Sequence, residues 1–208
     1  MRKTSPLHLA AATALTISLT AGCGNNADHQ ASPQTRPSKP SPTAAAKLSV
    51  GQPADVLGYN MTKIRVTPLA VLYHRGPYSS ELDGPENGWY VAITIKTESL
   101  EKPDTTAGGM GGGGFQWRGA GQTIDGMDGN ASTAPWVGSV PEFGIDSLIE
   151  VGDPREGVET FDVPAKGGRL VYLSPEDFTI TAEWVLPADS QGTSPAMTKV
   201  KKEIVKFS

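Results

Sequence analysis

Hydrolysis by a serine nucleophile requires a histidine base and an acid that orients it, so the histidines limit this chemistry. His74 is the only histidine after residue 47, and any such triad in the C-terminal part of the chain would have to include it. The sequence Gly-Ser-Val at 138–140 lacks the second glycine of a nucleophile elbow. We therefore interpret His74, which Arg75 follows, as a surface loop residue, and we predict no catalytic residue.

Metal ligands are also sparse. After residue 47 there is neither a histidine pair nor a cysteine, which argues against a zinc site. Residues 125–130, Asp-Gly-Met-Asp-Gly-Asn, set oxygen ligands among glycines, but a calcium hand needs ligands at alternate positions and a glutamate at the twelfth. Asp125 and Asp128 are three apart, and Trp136 occupies the twelfth position. We interpret the segment as a turn between strands and predict no metal and no cofactor. Titration with calcium can test whether the segment binds the ion weakly.

A run of glycines at 108–114 invites comparison with a phosphate-binding loop. Such a loop requires Lys-Ser or Lys-Thr after the glycines and a helix whose N–H groups surround the phosphate. Here the strand-like Phe-Gln-Trp at 115–117 follows instead. We interpret the run as a flexible loop between two strands, which leaves room for a loop that orders when it binds a partner.

Paired carboxylates are the remaining candidates for catalysis, because glycan hydrolysis uses two Asp or Glu side chains about 5 to 10 Å apart. The acidic residues Glu142, Asp146, Glu150 and Asp153 are close together in the sequence, but their spacing shows no distinctive pattern. A carboxylate-based envelope hydrolase is therefore kept as the alternative function.

Two tryptophans are candidates for either binding or packing. Trp136 lies in Ala-Pro-Trp-Val-Gly, and Trp117 lies close after the glycine run. Large aromatic residues in loops can anchor a binding partner, although tryptophan in a β-sandwich more often packs in the core. We favour core packing, and whether Trp117, Trp136 or the glycine-rich loop forms a binding surface is left open.

Cys23 is the only cysteine of the chain. It follows a positively charged N-terminus, an apolar stretch at 7–19 and two small residues at 21–22, which are the three parts of an export signal. The apolar stretch is too short for a membrane span, which needs about 20 residues. The arrangement resembles the signal of bacterial lipoproteins. The resemblance implies that residues 1–22 are removed, that Cys23 carries a diacylglyceryl group, and that the protein is anchored to the extracytoplasmic face of the cell membrane.

The lipid would have two physical consequences. Two acyl chains hold a protein firmly on a membrane, whereas one chain, at about 0.8 kcal/mol per buried methylene, binds only marginally. With its cysteine attached to lipid, the mature protein has no disulfide and no free thiol, so its fold must rest on core packing. Ordinary secretion, with cleavage after a small residue and Cys23 as a free thiol, is the alternative interpretation.

Composition divides the rest of the chain into a linker and a domain. Residues 23–47 contain no large apolar residue and several prolines, which predicts a disordered, extended tether. Residues 48–208 are the right length for one domain. Of the 18 basic and 22 acidic side chains, 5 and 1 lie before residue 48, which leaves the domain a net charge of about −8. This charge argues against nucleic acid as a partner, because phosphate binding needs a basic surface.

Alternation of apolar and polar residues dominates the domain. Residues 89–96 alternate most clearly and predict a half-buried strand. Pro68 predicts an interruption between strands at 61–66 and 69–73. Several short strands, frequent turns and no convincing long amphipathic helix predict an all-β fold, an antiparallel β-sandwich. The remaining predicted strands are 115–118, 161–163, 170–173 and 178–186.

The segment 199–207 fits two structures. Val200, Ile204 and Phe207 have helical spacing, whereas the adjacent apolar pair Ile204-Val205 suits a terminal strand. Because the segment follows a loop rich in Asp, Ser, Gly and Pro, we predict a strand that returns against the preceding one.

Three segments resemble a group of bacterial exported proteins, many of them lipoproteins, that carry an immunoglobulin-like domain of unknown function. Residues 63–69 resemble the first core strand of such domains, 87–99 the central strand with its loop, and 151–164 a turn followed by a strand that ends in Val-Pro. The chain departs from the pattern at the glycine run 108–114 and at 97–99, where the expected asparagine is absent. The resemblance implies an immunoglobulin-like sandwich of two sheets and supplies no activity.

Strands and loops are plentiful in this sequence, whereas clusters of titratable residues are not. We therefore expect a non-enzymatic binding or interaction module, held by its lipid anchor at the membrane, whose ligand is a protein, a peptide or an envelope component. The alternatives are the carboxylate-based hydrolase and a purely structural envelope component.

Overall fold

The computed structural model describes residues 46–76, 84–108, 113–141 and 148–207. All of the described residues belong to one compact unit. The described part of that unit is mainly β, with two packed sheets and one α-helix. Its elements are β1 (Lys47–Ser49), β2 (Ala54–Leu57), β3 (Lys63–His74), β4 (Trp89–Ser99), β5 (Gly114–Gly119), β6 (Gln122–Asp125), a 3-10 helix (Gly129–Thr133), β7 (Arg155–Val163), β8 (Arg169–Leu173), β9 (Ile180–Val185) and α1 (Pro195–Phe207).

The strands form a five-stranded sheet in the order β1-β9-β8-β5-β6 and a four-stranded sheet in the order β2-β3-β4-β7. The prediction of two packed sheets is confirmed. The prediction that all strands pair antiparallel is wrong for one strand pair, because β1 pairs with β9 in parallel. Parallel pairing is possible here because β1 and β9 are far apart in the chain, so that no short hairpin has to join them.

Pro68 lies inside one continuous strand, β3, and not between two strands as predicted. The register against β4 shifts between Pro68 and Ala70, which is a β-bulge. Proline cannot donate a hydrogen bond to a neighbouring strand, and β2 pairs only with residues 63–66. The bulge therefore replaces the predicted break.

The main core fills the space between the two sheets. Val91, Ile93 and Ile95 on β4 face Trp117 on β5, and all four side chains are fully buried within this core. Trp184 on β9 belongs to the same cluster, and its indole N–H donates to the carbonyl oxygen of Gln52 over 2.8 Å.

A second core lies on the opposite face of the four-stranded sheet. Tyr90 and Val158 on that face are covered by α1 and by the chain around the 3-10 helix, including Trp136. The rings of Tyr90 and Trp136 meet edge to face, with centroids 5.9 Å apart. The prediction that 89–96 is a half-buried strand is therefore wrong, because β4 is buried on both faces.

The predicted C-terminal strand is also wrong, since residues 195–207 form α1. The side chains of Met197 and Val200 lie on one side of the helix and pack in the second core. Ser194 caps the helix, because its Oγ accepts the backbone N–H of Met197 over 3.0 Å, and Pro195 follows at the first helical position. The partner of this segment is a sheet face and not a strand edge, so helical spacing is the pattern that buries its apolar residues.

Candidate functional site

A pocket of about 220 Å³ opens between β6, the residues that precede β4, and the 3-10 helix. Its lining is mostly polar and includes three carboxylates. The lining residues are Glu86, Asn87, Gln122, Thr123, Ile124, Asp128, Gly129, Asn130 and Asp162.

Asp162 is the buried member of this lining, at the end of β7. Its carboxylate accepts the backbone N–H of Glu86 over 2.7 Å and the backbone N–H of Asn87 over 3.0 Å. The side-chain amide of Asn130 donates to the same carboxylate over 3.3 Å and to the carbonyl oxygen of Gly84 over 2.7 Å. Asp162 therefore holds the segment that enters β4 against the 3-10 helix.

The pocket offers carboxylate and amide oxygens to a ligand. Glu86 and Asp128 are exposed, whereas the oxygens of Asp162 already accept backbone donors. Such a lining suits hydroxyl or ammonium groups, which donate hydrogen bonds, and disfavours anions. In the part of the chain that the structure describes, no three His, Cys, Asp or Glu side chains are placed to hold a metal ion.

The two aspartates of the segment 125–130, which was compared with a calcium-binding loop, lie in different surroundings. Asp125 ends β6, and its carboxylate accepts the side-chain N–H of Gln116 over 2.7 Å. Asp128 lies at the pocket, beyond a turn in which Met127 donates its backbone N–H to the carbonyl oxygen of Thr160 over 2.8 Å. The segment is a turn after β6, and it leads into the 3-10 helix.

His74 is placed differently from the expectation. It is the last residue of β3 and is half-buried, so its interpretation as an exposed loop residue is wrong. The strand continues to His74 because β4 pairs with it there, Tyr90 lying opposite. Burial lowers the pKa of the His74 imidazole, which favours its neutral form.

Trp117 and Trp136 are packing residues, as favoured from the sequence. Both are fully buried, Trp117 between the sheets and Trp136 in the second core. The indole N–H of Trp117 donates to the carbonyl oxygen of Gly167 over 2.9 Å, and that of Trp136 donates to the hydroxyl of Thr160 over 2.8 Å. Neither side chain is available to a partner at the surface.

Several sequence candidates lie outside the described residues. These are Cys23, most of the glycine run and the carboxylates Glu142 and Asp146. Of the remaining acidic candidates, Glu150 and Asp153 are exposed in the segment before β7.

Sequence reasoning missed two buried aspartates, Asp104 and Asp162. Asp162 alternates with Phe161 and Val163 on β7, which predicts a solvent-facing side chain, yet it is only 3% exposed. The covering layer on that face of the sheet comes from elements distant in the sequence. Alternation along one strand carries no signal of such a layer.

Comparison of the chain with protein-family models, with curated proteins and with solved structures found no match. Among the described residues, no helix has the length and apolar character needed to cross a membrane.

Proposed function

We propose that the protein is a non-enzymatic binding module with an immunoglobulin-like fold, held on the extracytoplasmic face of the cell membrane by a lipid on Cys23. The observation that best supports a binding role is that two buried carboxylates hold loops in place. Asp104 and Asp162 both accept backbone N–H groups and so fix loops at the ends of the sandwich. Loops fixed before binding lose less entropy when a partner docks, which raises affinity.

The order of the strands supports an immunoglobulin-like topology. In that fold the strands are lettered in chain order, one sheet containing G, F, C and C′ and the other placing B beside E. With β4 as B, the next strands β5 to β9 become C, C′, E, F and G. The five-stranded sheet then reads G-F-C-C′ with β1 outside G, and β4 lies beside β7 as B lies beside E.

Two further features bear on this comparison. A buried tryptophan on strand C is typical of immunoglobulin domains, and Trp117 lies fully buried on β5. β3, beside B, takes the position of strand A. The chain departs from the pattern by the additional strand β2, by the lack of a strand D beside E among the described residues, and by the helix that covers the four-stranded sheet. NMR contacts between β4 and β7 and between β5 and β8 would support the topology, and contacts that pair β4 directly with β5 would contradict it.

The membrane anchor has a direct test. Cells grown with labelled palmitate are expected to label the protein, and the Cys23→Ser variant is expected to lose the label and leave the membrane fraction. Lys39→Ser, a change in the same tether that leaves the cysteine in place, serves as the control. A wild-type protein that stays unlabelled would contradict the lipid anchor without bearing on the binding role.

The alternative, a carboxylate-based envelope hydrolase, is favoured by the pocket, which brings together Glu86, Asp128 and Asp162. Its test is release of soluble fragments from purified envelope glycans. Activity that is lost in Glu86→Gln and Asp128→Asn, but not in the exposed control Glu150→Gln, would replace the binding proposal. We expect no release by any of these proteins.

A further inference from the structure

Exposed large apolar side chains concentrate at one end of the sandwich. Seven such side chains are present among the described residues, and five of them lie on three neighbouring segments: the turn 58–62, the segment 148–153 and the connection 174–179. We call these segments the loop end. The five side chains are Tyr59, Met61, Leu148, Val151 and Phe178, of which Phe178 is 56% exposed.

Strand direction and hydrogen bonds place the three segments together. The turn 58–62 joins β2 to β3, and the connection 174–179 joins β8 to β9. The hydroxyl of Tyr172 near the end of β8 donates to the carbonyl oxygen of Leu57 at the end of β2 over 3.0 Å, which brings the ends of both sheets to the same side. Val151 forms a bridge with Ser99, the last residue of β4.

Asp104 binds two of these segments to each other. Its carboxylate accepts backbone N–H groups from Asn60 and Thr62, over 2.8 and 3.1 Å. Its own backbone N–H and carbonyl oxygen both pair with Ile149. A methyl group added to Gly58 would lie 2.5 Å from the Asp104 carboxylate, so the turn packs directly on it. The turn 58–62 and the segment 148–153 are therefore fixed to each other and are not independent loops.

Two of the apolar side chains are presented from an unfavourable backbone conformation. Met61 has φ of 64° and Phe178 has φ of 57°, in the left-handed region where an L side chain is strained. Glycine or asparagine would relieve this strain at either position. Each of these residues combines a strained backbone with an exposed large apolar side chain. This combination points to a role for that side chain at the surface.

Carboxylates flank the exposed apolar groups. Glu176 and Asp177 precede Phe178, and Glu150 and Asp153 surround Val151, all four being exposed. Hydrogen bonds from Thr179 lower the pKa of Asp177, which keeps its carboxylate ionised. The exposed basic residues of the same end are fewer: Lys63, Lys102 and Arg155, with Lys63 lying 3.9 Å from Glu101.

We propose that the loop end docks a polypeptide segment of another protein in which apolar side chains are flanked by Lys or Arg. The apolar side chains of that segment would cover Phe178, Met61 and Tyr59, and its cations would face the carboxylates of Glu176, Asp177 and Glu150. This inference rests on the proposed binding function, to which it adds the surface and the chemistry of the partner.

The test uses the full chain, immobilised, and a random library of displayed peptides as the probe. Enriched peptides are expected to combine aromatic or aliphatic residues with Lys and Arg. Their affinity is expected to fall about tenfold in Phe178→Asn and in Met61→Asn, because each change removes contact area while suiting the backbone conformation. Higher salt is expected to weaken binding as well, since exposed charges contribute to it.

Two controls match these variants. Ala120→Asn changes another left-handed residue at the opposite end of the sandwich, and Val205→Asn removes an apolar side chain that is 74% exposed on α1. Both are expected to bind the peptides as the unchanged protein does. Equal losses in the controls, enrichment of acidic or purely polar peptides, no enrichment at all, or self-association of the chain through the loop end would each overturn the proposal.

A photo-crosslinking residue on intact cells separates this inference from the binding function itself. Crosslinks to another protein from position 178, but not from position 205, would support the loop end as the docking surface. Crosslinks from position 205 alone would overturn the loop end and leave a binding function elsewhere. Crosslinks from neither position would count against both.

Discussion

The carboxylate of Asp104 accepts a hydrogen bond of 2.8 Å from the backbone N–H of Asn60, a residue 44 positions earlier in the chain. The same carboxylate accepts the backbone N–H and the hydroxyl of Thr62 and the backbone N–H of Thr105. One buried side chain thus satisfies four donors from two segments. A buried donor left without an acceptor costs free energy, so Asp104 ties the stability of the domain to the shape of the loop end.

Asp104→Ala is expected to lower the free energy of unfolding by about 3 kcal/mol, because several backbone donors lose their acceptor at once. Urea denaturation followed by tryptophan fluorescence measures this loss. The variant is also expected to weaken binding at the loop end, since the turn around Asn60 loses its attachment.

Asp55→Ala is the matched control for that experiment. Asp55 also accepts hydrogen bonds from one side chain, Arg65, over 2.8 and 3.1 Å, but the pair is exposed. Exposed ion pairs contribute little, so a much smaller loss of stability is expected. Similar losses in the two variants would show that Asp104 contributes no more than a surface carboxylate.

The second core makes a prediction about α1. Val200 lies on the buried side of the helix and is fully buried, whereas Val205, five residues later, is 74% exposed. Val200→Asp places a charge in an apolar contact and is expected to cost about 4 kcal/mol. Val205→Asp is expected to change stability by no more than about 0.5 kcal/mol. Equal effects would mean that α1 is not packed on the four-stranded sheet in solution.

Three of the five strands in the five-stranded sheet, β5, β8 and β9, followed from the sequence, whereas β1 and β6 were not predicted. Residues 115–118 and 170–173 fall within β5 and β8 as predicted, because apolar and polar residues alternate along 115–118 and residues 170–173 form a short apolar run. Phe178 is an exception within the predicted strand 178–186, since β9 begins at Ile180. Alternation continues through Phe178, but its backbone is left-handed, and no pattern of polarity reports that.

The helix and the second core could not be predicted in the same way. Val200 and Ile204 fit either structure, and the choice depends on which surface receives them. That surface is the outer face of β4 and β7, whose polar members Thr94 and Asp162 suggested contact with water. Both are buried by segments far away in the chain. A layer of the fold that is built from segments distant in the sequence therefore cannot be predicted from the polarity pattern of each strand taken alone.

Three non-glycine residues with a left-handed backbone, Ala120, Phe178 and Met61, provide a test of backbone strain. Ala120 (φ 48°) and Gly121 (φ 77°) form the two-residue turn between β5 and β6, where Asn-Gly is the preferred pair. Ala120→Asn is expected to raise the free energy of unfolding by about 0.5 to 1 kcal/mol. Phe178→Asn and Met61→Asn are expected to give gains of similar size, for the same reason. Thermal and urea unfolding measure these gains.

The interpretation of these gains depends on comparing stability with binding. Ala120→Asn is expected to gain stability and keep its peptide affinity, whereas Phe178→Asn is expected to gain stability and lose affinity. A loss of stability in Phe178→Asn would mean that the phenyl ring packs on the domain, and its exposure would then have no bearing on recognition.

His74 predicts a change of stability with pH. Burial lowers the pKa of its imidazole in the folded state, whereas the unfolded chain has the ordinary value of about 6.5. The unfolded state therefore binds a proton first as the pH falls. Stability is expected to be full above pH 7, to fall as the pH drops through about 6.5, and to level off below the folded pKa of His74.

The measurement is the free energy of unfolding by urea between pH 5 and 8, compared with His74→Gln. The variant cannot bind the proton, so its profile is expected to be flatter in this window. Asp55 does not interfere, because its hydrogen bond from Arg65 lowers its pKa and confines its effect to more acidic solutions. Parallel profiles for the two proteins would show that His74 is as open to water when folded as when unfolded. A steeper profile in the variant would show that the folded state stabilises the imidazolium.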